Sequence, residues 1–136
     1  MYRFKIALYA LLVIPFFSCN PSAHSHEDSE AIVLNDGQKW KVVPDMLQII
    51  RNMETDINAY SDTMEFRTLS ESLASNIDSL TSNCTMTGQA HDELHKWLLP
   101  YIDLVNKTKK AHTDEEQELK LGELKASFVT FNQYFE

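Results

Sequence analysis

The sequence predicts an all-α protein, an up-down-up-down four-helix bundle that follows a signal peptide and a short linker. In four stretches between residue 43 and the C-terminus, apolar residues recur at the i, i+3, i+4 and i+7 spacing of amphipathic helices. No run of alternating apolar and polar residues competes with this pattern. A content of only 3 Gly and 4 Pro among 136 residues disfavours a turn-rich β-sandwich. A chain of this length supports one domain, which we expect to span residues 43–136.

The four predicted helices each carry one apolar stripe, and short connections separate them, as in bundles of antiparallel neighbours. The first helix has Pro44 in its first turn, where a proline is tolerated because its missing N–H would have no partner there. Capping-box residues mark the predicted starts of the second helix, at residues 62–65, and of the fourth, at residues 113–116. The stripes, in chain order, are Met46, Ile49, Ile50, Met53, Ile57 and Tyr60; Phe66, Leu69, Leu73, Ile77 and Leu80; Leu94, Leu98, Tyr101, Ile102 and Val105; and Leu121, Leu124, Phe128, Phe131 and Phe135.

Residues 1–18 are predicted to be a signal peptide. Two basic residues precede an uncharged apolar run over residues 6–17, which is short for a membrane span. At its end, Ser18 followed by Cys19 resembles the lipobox of bacterial lipoproteins, in which a small residue precedes a cysteine that is lipidated. The resemblance implies a lipid on Cys19 and a place in the bacterial cell envelope, anchored to a membrane outside the cytoplasm. Inner and outer membrane both stay open.

Residues 19–42 are predicted to form the lipidated N-terminus, a flexible linker and a lead-in to the first helix. The linker is polar and has no period, which is the composition of disordered segments. His24 and His26 could bind a divalent metal weakly, although a solvated linker that happens to contain two histidines is the commoner case. The turn at Gly37 is expected to lay Trp40 against the end of the domain.

The chain is acidic, with 20 Asp and Glu against 12 Lys and Arg and a formal net charge of -8. This balance disfavours a nucleic-acid backbone as the partner, and no glycine cluster is present in the sequence to hold a phosphate. The expected partners are therefore a membrane, reached through the lipid, and in one interpretation another envelope protein.

Residues with ligand chemistry are concentrated in one short stretch before and inside the third helix. Cys84 continues the stripe of the second helix, and His91 and His95, at i and i+4, lie one above the other on the stripe of the third. In an up-down bundle, the first and third helices begin at the end where the second and fourth finish. We therefore expect Met46 and Met86 in the same layer as the cysteine and the two histidines.

This set of donors predicts a soft-metal site. Thioether and thiol sulfur combined with imidazole favours copper(I), with zinc next, whereas magnesium and calcium prefer oxygen ligands. Cys84 and His91 are expected to be the primary ligands, and His95, Met86 and Met46 to complete the coordination sphere. The protein would then sequester the metal or hand it over.

Each donor also has a structural interpretation. A single cysteine is often a small buried hydrophobe, and methionines at helical spacing are usually core residues. If Cys19 carries a lipid, Cys84 has no disulfide partner in an oxidising compartment, so a redox role for its thiol also stays open. The alternative function is a non-enzymatic interaction or structural module of the envelope, whose buried histidine pair holds no metal.

Enzymatic activity is not expected. His91 and His95 have the spacing of the zinc-protease motif H-E-x-x-H, but Asp92 stands where that motif has its Glu. The shorter side chain would withdraw the general base from a metal-bound water. The C-x-x-C-H motif that attaches c-type haem is absent from the sequence.

Two further resemblances concern the predicted bundle. It is similar to cytochrome b562-type domains, which hold haem between a methionine near the start of the first helix and a histidine in the fourth. Met46 matches that methionine, but the predicted fourth helix contains no histidine, which disfavours haem and leaves a b-type electron carrier as a third option. The stretch C-T-M-x-G-x-x-H-D-x-L-H, followed by Trp97 and by Tyr134-Phe135, resembles a group of small bacterial lipoproteins that provides no activity to transfer.

Overall fold

Four α-helices account for most of the structure, a computed structural model that describes residues 31–61 and 63–136. The helices are α1 (Pro44–Ala59), α2 (Phe66–Ser82), α3 (Gln89–Thr108) and α4 (Asp114–Tyr134). Within the described ranges, β-type pairing is limited to isolated bridges, so the all-α prediction is confirmed. The predicted signal peptide, the lipidation site Cys19 and the linker histidines His24 and His26 lie outside the described residues.

The helices pack as a four-helix bundle. α1 and α3 each pack against both α2 and α4, so that consecutive helices are neighbours and the first also contacts the last. Short connections between adjacent helices reverse the direction of the chain at each turn, and the start of α1, the end of α2, the start of α3 and the end of α4 therefore share one end. Among the described residues, none of the helices has both the length and the apolar character needed to cross a membrane.

The predicted apolar stripes form the core of the bundle. Each helix contributes at least one completely buried residue, among them Ile50, Leu73, Leu94 and Leu124. Most other stripe residues are also buried, because each helix turns its apolar face toward the centre. The stripe members that are only half buried are Ile49, Tyr60, Ile102 and Leu121.

The start of α4 has the predicted capping box. The Thr113 hydroxyl accepts the Glu116 N–H, and the Glu116 carboxylate accepts the N–H groups of His112 and Thr113. The hydrogen bond from His112, followed by that from Thr113, holds the pKa of Glu116 below its ordinary value. The sequence signal is strong here because a capping box is made within four consecutive residues.

The predicted start of α2 at residues 62–65 is wrong. The helix begins at Phe66, and the N-cap residue Glu65 accepts no hydrogen bond with its side chain. The chain first makes a turn, in which the Met64 N–H donates to the Ser61 carbonyl at 2.8 Å. Because this turn uses the backbone groups that an earlier helix start would need, the first helical residue falls later.

The lead-in segment, residues 31–43, closes the end of the bundle. Asp36 and Gly37 have φ values of 50° and 84°, as in the two-residue turn for which Asp-Gly is typical. Beyond the turn, Trp40 is buried; its N–H donates to the Tyr134 carbonyl at 2.8 Å, and its carbonyl accepts the Glu136 N–H at 2.9 Å. The expected packing of this tryptophan against the end of the domain is confirmed.

Candidate metal centre

A pocket of about 350 Å³ lies between α1, α2 and α3 at the end closed by the lead-in segment. All five donors that the sequence singled out line it, and we call it the sulfur–imidazole pocket. The first turn of α1 contributes one thioether, the connection between α2 and α3 contributes a thiol and a second thioether, and the first two turns of α3 contribute two imidazoles. These residues are Met46, Cys84, Met86, His91 and His95. Whether they bind an ion stays a prediction.

Cys84 reaches the pocket from the connection, not from α2 as expected. The helix ends at Ser82, and the Asn83 N–H makes its last i→i−4 hydrogen bond, to the Ser79 carbonyl at 3.2 Å. The Asn83 side-chain amide donates to the same carbonyl at 2.8 Å, and the backbone at Asn83, with φ of -109° and ψ of 17°, has already left the helical conformation. The Cys84 thiol is half buried against the core and forms no disulfide within the described residues.

Gly88 sets the start of α3 and hence the direction of both histidines. Its φ of 71° lies in the left-handed region that glycine adopts without strain. Its carbonyl accepts the N–H groups of His91 and Asp92 at 3.0 and 3.1 Å, and these hydrogen bonds form the first turn of α3. With the helix begun at this residue, His91 and His95 lie on the face that lines the pocket.

The two imidazoles form a close pair. The ring centroids of His91 and His95 are 4.1 Å apart, with the ring planes tilted by 48°. Both rings are half buried; the His91 side chain is 27% exposed, and its Nδ1 lies 3.6 Å from Asp92 Oδ1. Apart from that contact, the part of the chain that the structure describes provides neither ring with a hydrogen-bonding partner. At least one nitrogen of each ring is therefore available to a ligand.

The donor chemistry of the pocket is soft. Within residues 31–61 and 63–136, no three His, Cys, Asp or Glu side chains come together closely enough to hold an ion. The donors that face the sulfur–imidazole pocket instead combine imidazole and thiol with the thioether sulfurs of Met46 and Met86. Sulfur of both kinds with imidazole fits copper(I), and no carboxylate lines the pocket to favour a hard cation.

Glu93, on the opposite face of α3, is a buried carboxylate that the sequence analysis did not single out. It is 4% exposed and accepts hydrogen bonds from the Val33 N–H at 2.9 Å and from Lys96 Nζ at 2.8 Å. Burial raises its pKa, but the two hydrogen bonds and the charge of Lys96 outweigh burial, so the pKa lies below its ordinary value. The i, i+3 spacing to Lys96 is visible in the sequence, whereas the bond to Val33 is not. Glu93 fastens the lead-in segment to α3.

A larger pocket, of about 760 Å³, lies at the opposite end of the bundle and was also missed. Tyr60 and Phe66 form an edge-to-face pair at its wall, with ring centroids 5.6 Å apart, and Asp114 and Glu118 of α4 face it. Its lining has no cysteine or histidine. It therefore adds nothing to the metal-binding chemistry of the other end.

Compared with known proteins, the chain matches no family model, no curated protein and no solved structure. The resemblances drawn from the sequence therefore stay predictions. The chemistry of the sulfur–imidazole pocket is therefore the guide to function.

Proposed function

We propose that this protein binds copper(I) in the sulfur–imidazole pocket and sequesters it or hands it over, without catalytic turnover. The observation that carries the proposal is the presence of five soft or borderline donors in the lining of one pocket. They come from three separate parts of the chain, α1, the connection that follows α2, and α3. The folded bundle is therefore required to bring them together.

The mixture of donors favours copper(I) over zinc. Thiolate and thioether ligands together select copper(I), whereas zinc sites use thiolate, imidazole and carboxylate. Two of the five donors, Met46 and Met86, are thioethers. Both side chains are buried, so water has little access to their sulfur atoms.

Cys84 and His91 have the leading roles in this proposal. The thiol of Cys84 loses its proton when it binds the ion, because the thiolate is the ligand form of cysteine. At His91 the Nδ1 atom lies 3.6 Å from Asp92 Oδ1, which is too far for a hydrogen bond, so that either ring nitrogen is free to bind the metal. His95, whose ring centroid lies 4.1 Å from that of His91, lines the same pocket. Because no three described His, Cys, Asp or Glu side chains come close enough to hold one ion, the thioethers of Met46 and Met86 are needed to complete the coordination sphere.

A competition titration tests the proposal. The full chain, purified in detergent without oxygen, is titrated with copper(I) against a chromophoric copper(I) chelator. We expect stoichiometric binding that Cys84→Ser and His91→Ala each weaken at least about tenfold, since even the outer partners of metal ligands are worth ~10–100-fold in affinity. Circular dichroism checks that each variant is folded.

Two matched controls remove other histidines. His112→Ala changes an exposed histidine in the connection between α3 and α4, and the pair His24→Ala with His26→Ala removes those of the linker. Both controls should keep the affinity of the original chain. Copper binding that survives in the Cys84→Ser, His91→Ala double variant would contradict the proposal, and so would binding that depends on the two linker histidines. Tighter binding of zinc in a parallel titration would show that zinc, not copper(I), is the metal of this site.

We further propose that a lipid on Cys19 holds the bundle at a bacterial membrane outside the cytoplasm. The support is the apolar run that ends in Ser18-Cys19. The intact mass of the protein extracted from membranes should show cleavage before Cys19 and the addition of acyl chains. An unmodified N-terminus at residue 1 would contradict lipid anchoring and leave the copper proposal unaffected.

A further inference from the structure

The sulfur–imidazole pocket is much larger than an ion. Its volume of about 350 Å³ corresponds to roughly ten water molecules at the density of the liquid. An ion held by direct bonds of ~2.0–2.3 Å, the lengths seen for zinc with nitrogen and sulfur, leaves no such space between its ligands. The volume falls instead in the range of sites for small organic molecules, about 300–1,000 Å³.

The pocket also has two chemically different parts. Along α3 it extends from His91 to Ile102, a distance of about 16 Å at the helical rise per residue. The donors occupy the first part, and Leu98, Leu99 and Ile102 line the second. Leu99 is 59% exposed, which places it at the opening of the pocket. This shape suits an ion that carries an organic group on one side.

The charge of the surroundings restricts that organic group. No Asp, Glu, Lys or Arg side chain lines the pocket, and the chain as a whole has a formal net charge of -8. An organic group with a negative charge of its own would find no cation in the lining, and would add to the single negative charge that two thiolates on copper(I) already carry. The apolar wall favours an uncharged body. Sulfur is the donor through which such a group would bind copper(I).

We infer that the pocket takes up copper(I) as a complex with a small uncharged thiol, one molecule of which stays bound to the ion beside Cys84. The inference rests on the proposed copper(I) function and names its substrate class. It assigns the apolar wall of Leu98, Leu99 and Ile102 to the carbon body of that thiol. Without an organic group, this wall and most of the volume would have no role.

Uptake proceeds by ligand exchange on copper(I). In the incoming complex the ion is bonded to two thiolates. The bond from copper to one thiolate breaks, a bond from copper to Cys84 Sγ forms, and the proton of the Cys84 thiol passes to the departing thiolate, which leaves as the free thiol. Copper remains in the +1 state throughout, and the net charge of the copper complex is unchanged.

Native mass spectrometry of the full chain tests this inference. Copper(I) is supplied anaerobically in two forms, as its complex with 2-mercaptoethanol and as its complex with acetonitrile, and excess reagent is removed by gel filtration. With the first form we expect a mass shift of one copper plus one thiol. With the second we expect copper alone, and later addition of 2-mercaptoethanol should convert it to the ternary species.

Leu99→Glu provides the matched variant, because it places a charge at the opening without removing a donor. It should lose the retained thiol and keep the copper. Leu119→Glu, an equally exposed leucine on α4 at 60%, should keep both. Loss of the ternary species in both variants, or in neither, would overturn the role of the apolar wall.

The remaining outcomes distinguish failure of this inference from failure of the proposed function. Copper retained without thiol from both sources would overturn the inference and leave the proposed function intact. No copper from either source would overturn the proposed function. A thiol retained without copper, as a mixed disulfide on Cys84, would overturn the inference and indicate a redox role for this cysteine.

Discussion

The two faces of α3 satisfy their polar groups in different ways. On the face toward α4 and the lead-in segment, Glu93 accepts two hydrogen bonds, and Trp97 Nε1 donates to the Ser127 carbonyl at 3.0 Å. On the face toward α2, His91 and His95 pack against each other, and the described residues provide no hydrogen-bond partner for either ring. The polar groups of the first face have hydrogen-bond partners within the protein, whereas the imidazole nitrogens of the second face remain available to a ligand.

This difference helps to separate structural from functional polar residues. A buried polar group with all its hydrogen bonds made within the chain stabilises the fold. A half-buried imidazole pair with open nitrogens, beside a thiol and two thioethers, has no comparable role in packing. We therefore expect substitutions on the α4 face to change the free energy of unfolding, and those on the α2 face to change ligand binding.

The largest effect is expected for Trp97→Ala. This ring is buried, stacks on Tyr101 with centroids 4.9 Å apart, and meets Phe131 at 4.8 Å. Truncation should lower the free energy of unfolding by about 3–5 kcal/mol, measured by urea denaturation. His95→Ala, two residues earlier but on the open face, should cost less than about 1 kcal/mol; equal losses would contradict the distinction between the faces.

A smaller effect is expected for Glu93→Gln. The amide keeps an acceptor for the Val33 N–H but removes the charge that pairs with Lys96. We expect a loss of about 1–3 kcal/mol and faster hydrogen exchange at the Val33 N–H. Glu118→Gln, at an exposed carboxylate of α4, is the matched control and should be nearly neutral.

The cost of Glu93→Gln should depend on pH. Because the pKa of Glu93 in the folded protein lies below its ordinary value of 4.5, its ionised form stabilises the fold fully above that value. The stabilisation is lost as the pH falls through the folded-state pKa. The difference in unfolding free energy between the two chains should therefore shrink below about pH 4.5, and a difference that grows toward acid would show that the carboxylate is protonated in the fold.

The smallest effect, and one of opposite sign, is expected for Tyr101→Phe. The Tyr101 hydroxyl is buried without a hydrogen-bond partner among the described residues, and burial, followed by the charge of Asp56, raises its pKa. Since an unsatisfied buried hydroxyl is costly, its removal should raise the free energy of unfolding by up to about 1 kcal/mol. A clear loss of stability would instead show a hydrogen bond to a buried water.

Sequence reasoning was most successful where the signal repeats or is made locally. The apolar stripes located four helices because a period of 3.6 residues is written directly into the chain. Thr113 and Glu116 located the start of α4 because both halves of a capping box lie within one turn. It failed at the start of α2, where a turn at Ser61 delays the helix, and at its end, where the helix stops at Ser82 and leaves Cys84 in the connection.

The sequence by itself therefore determined the helical class, the inward stripes and the end of the bundle at which Met46, Cys84 and the histidines would meet. Only the tertiary structure decided that Glu93 is buried and hydrogen-bonded to Val33, that His91 has no hydrogen-bond partner among the described residues, and that the pocket extends from the donors to an apolar wall. The reason is the sequence separation over which each interaction acts. Periodicity and capping act over a few residues, whereas burial, partners and pocket volume depend on how distant segments pack, as with the 60 residues that separate Val33 from Glu93.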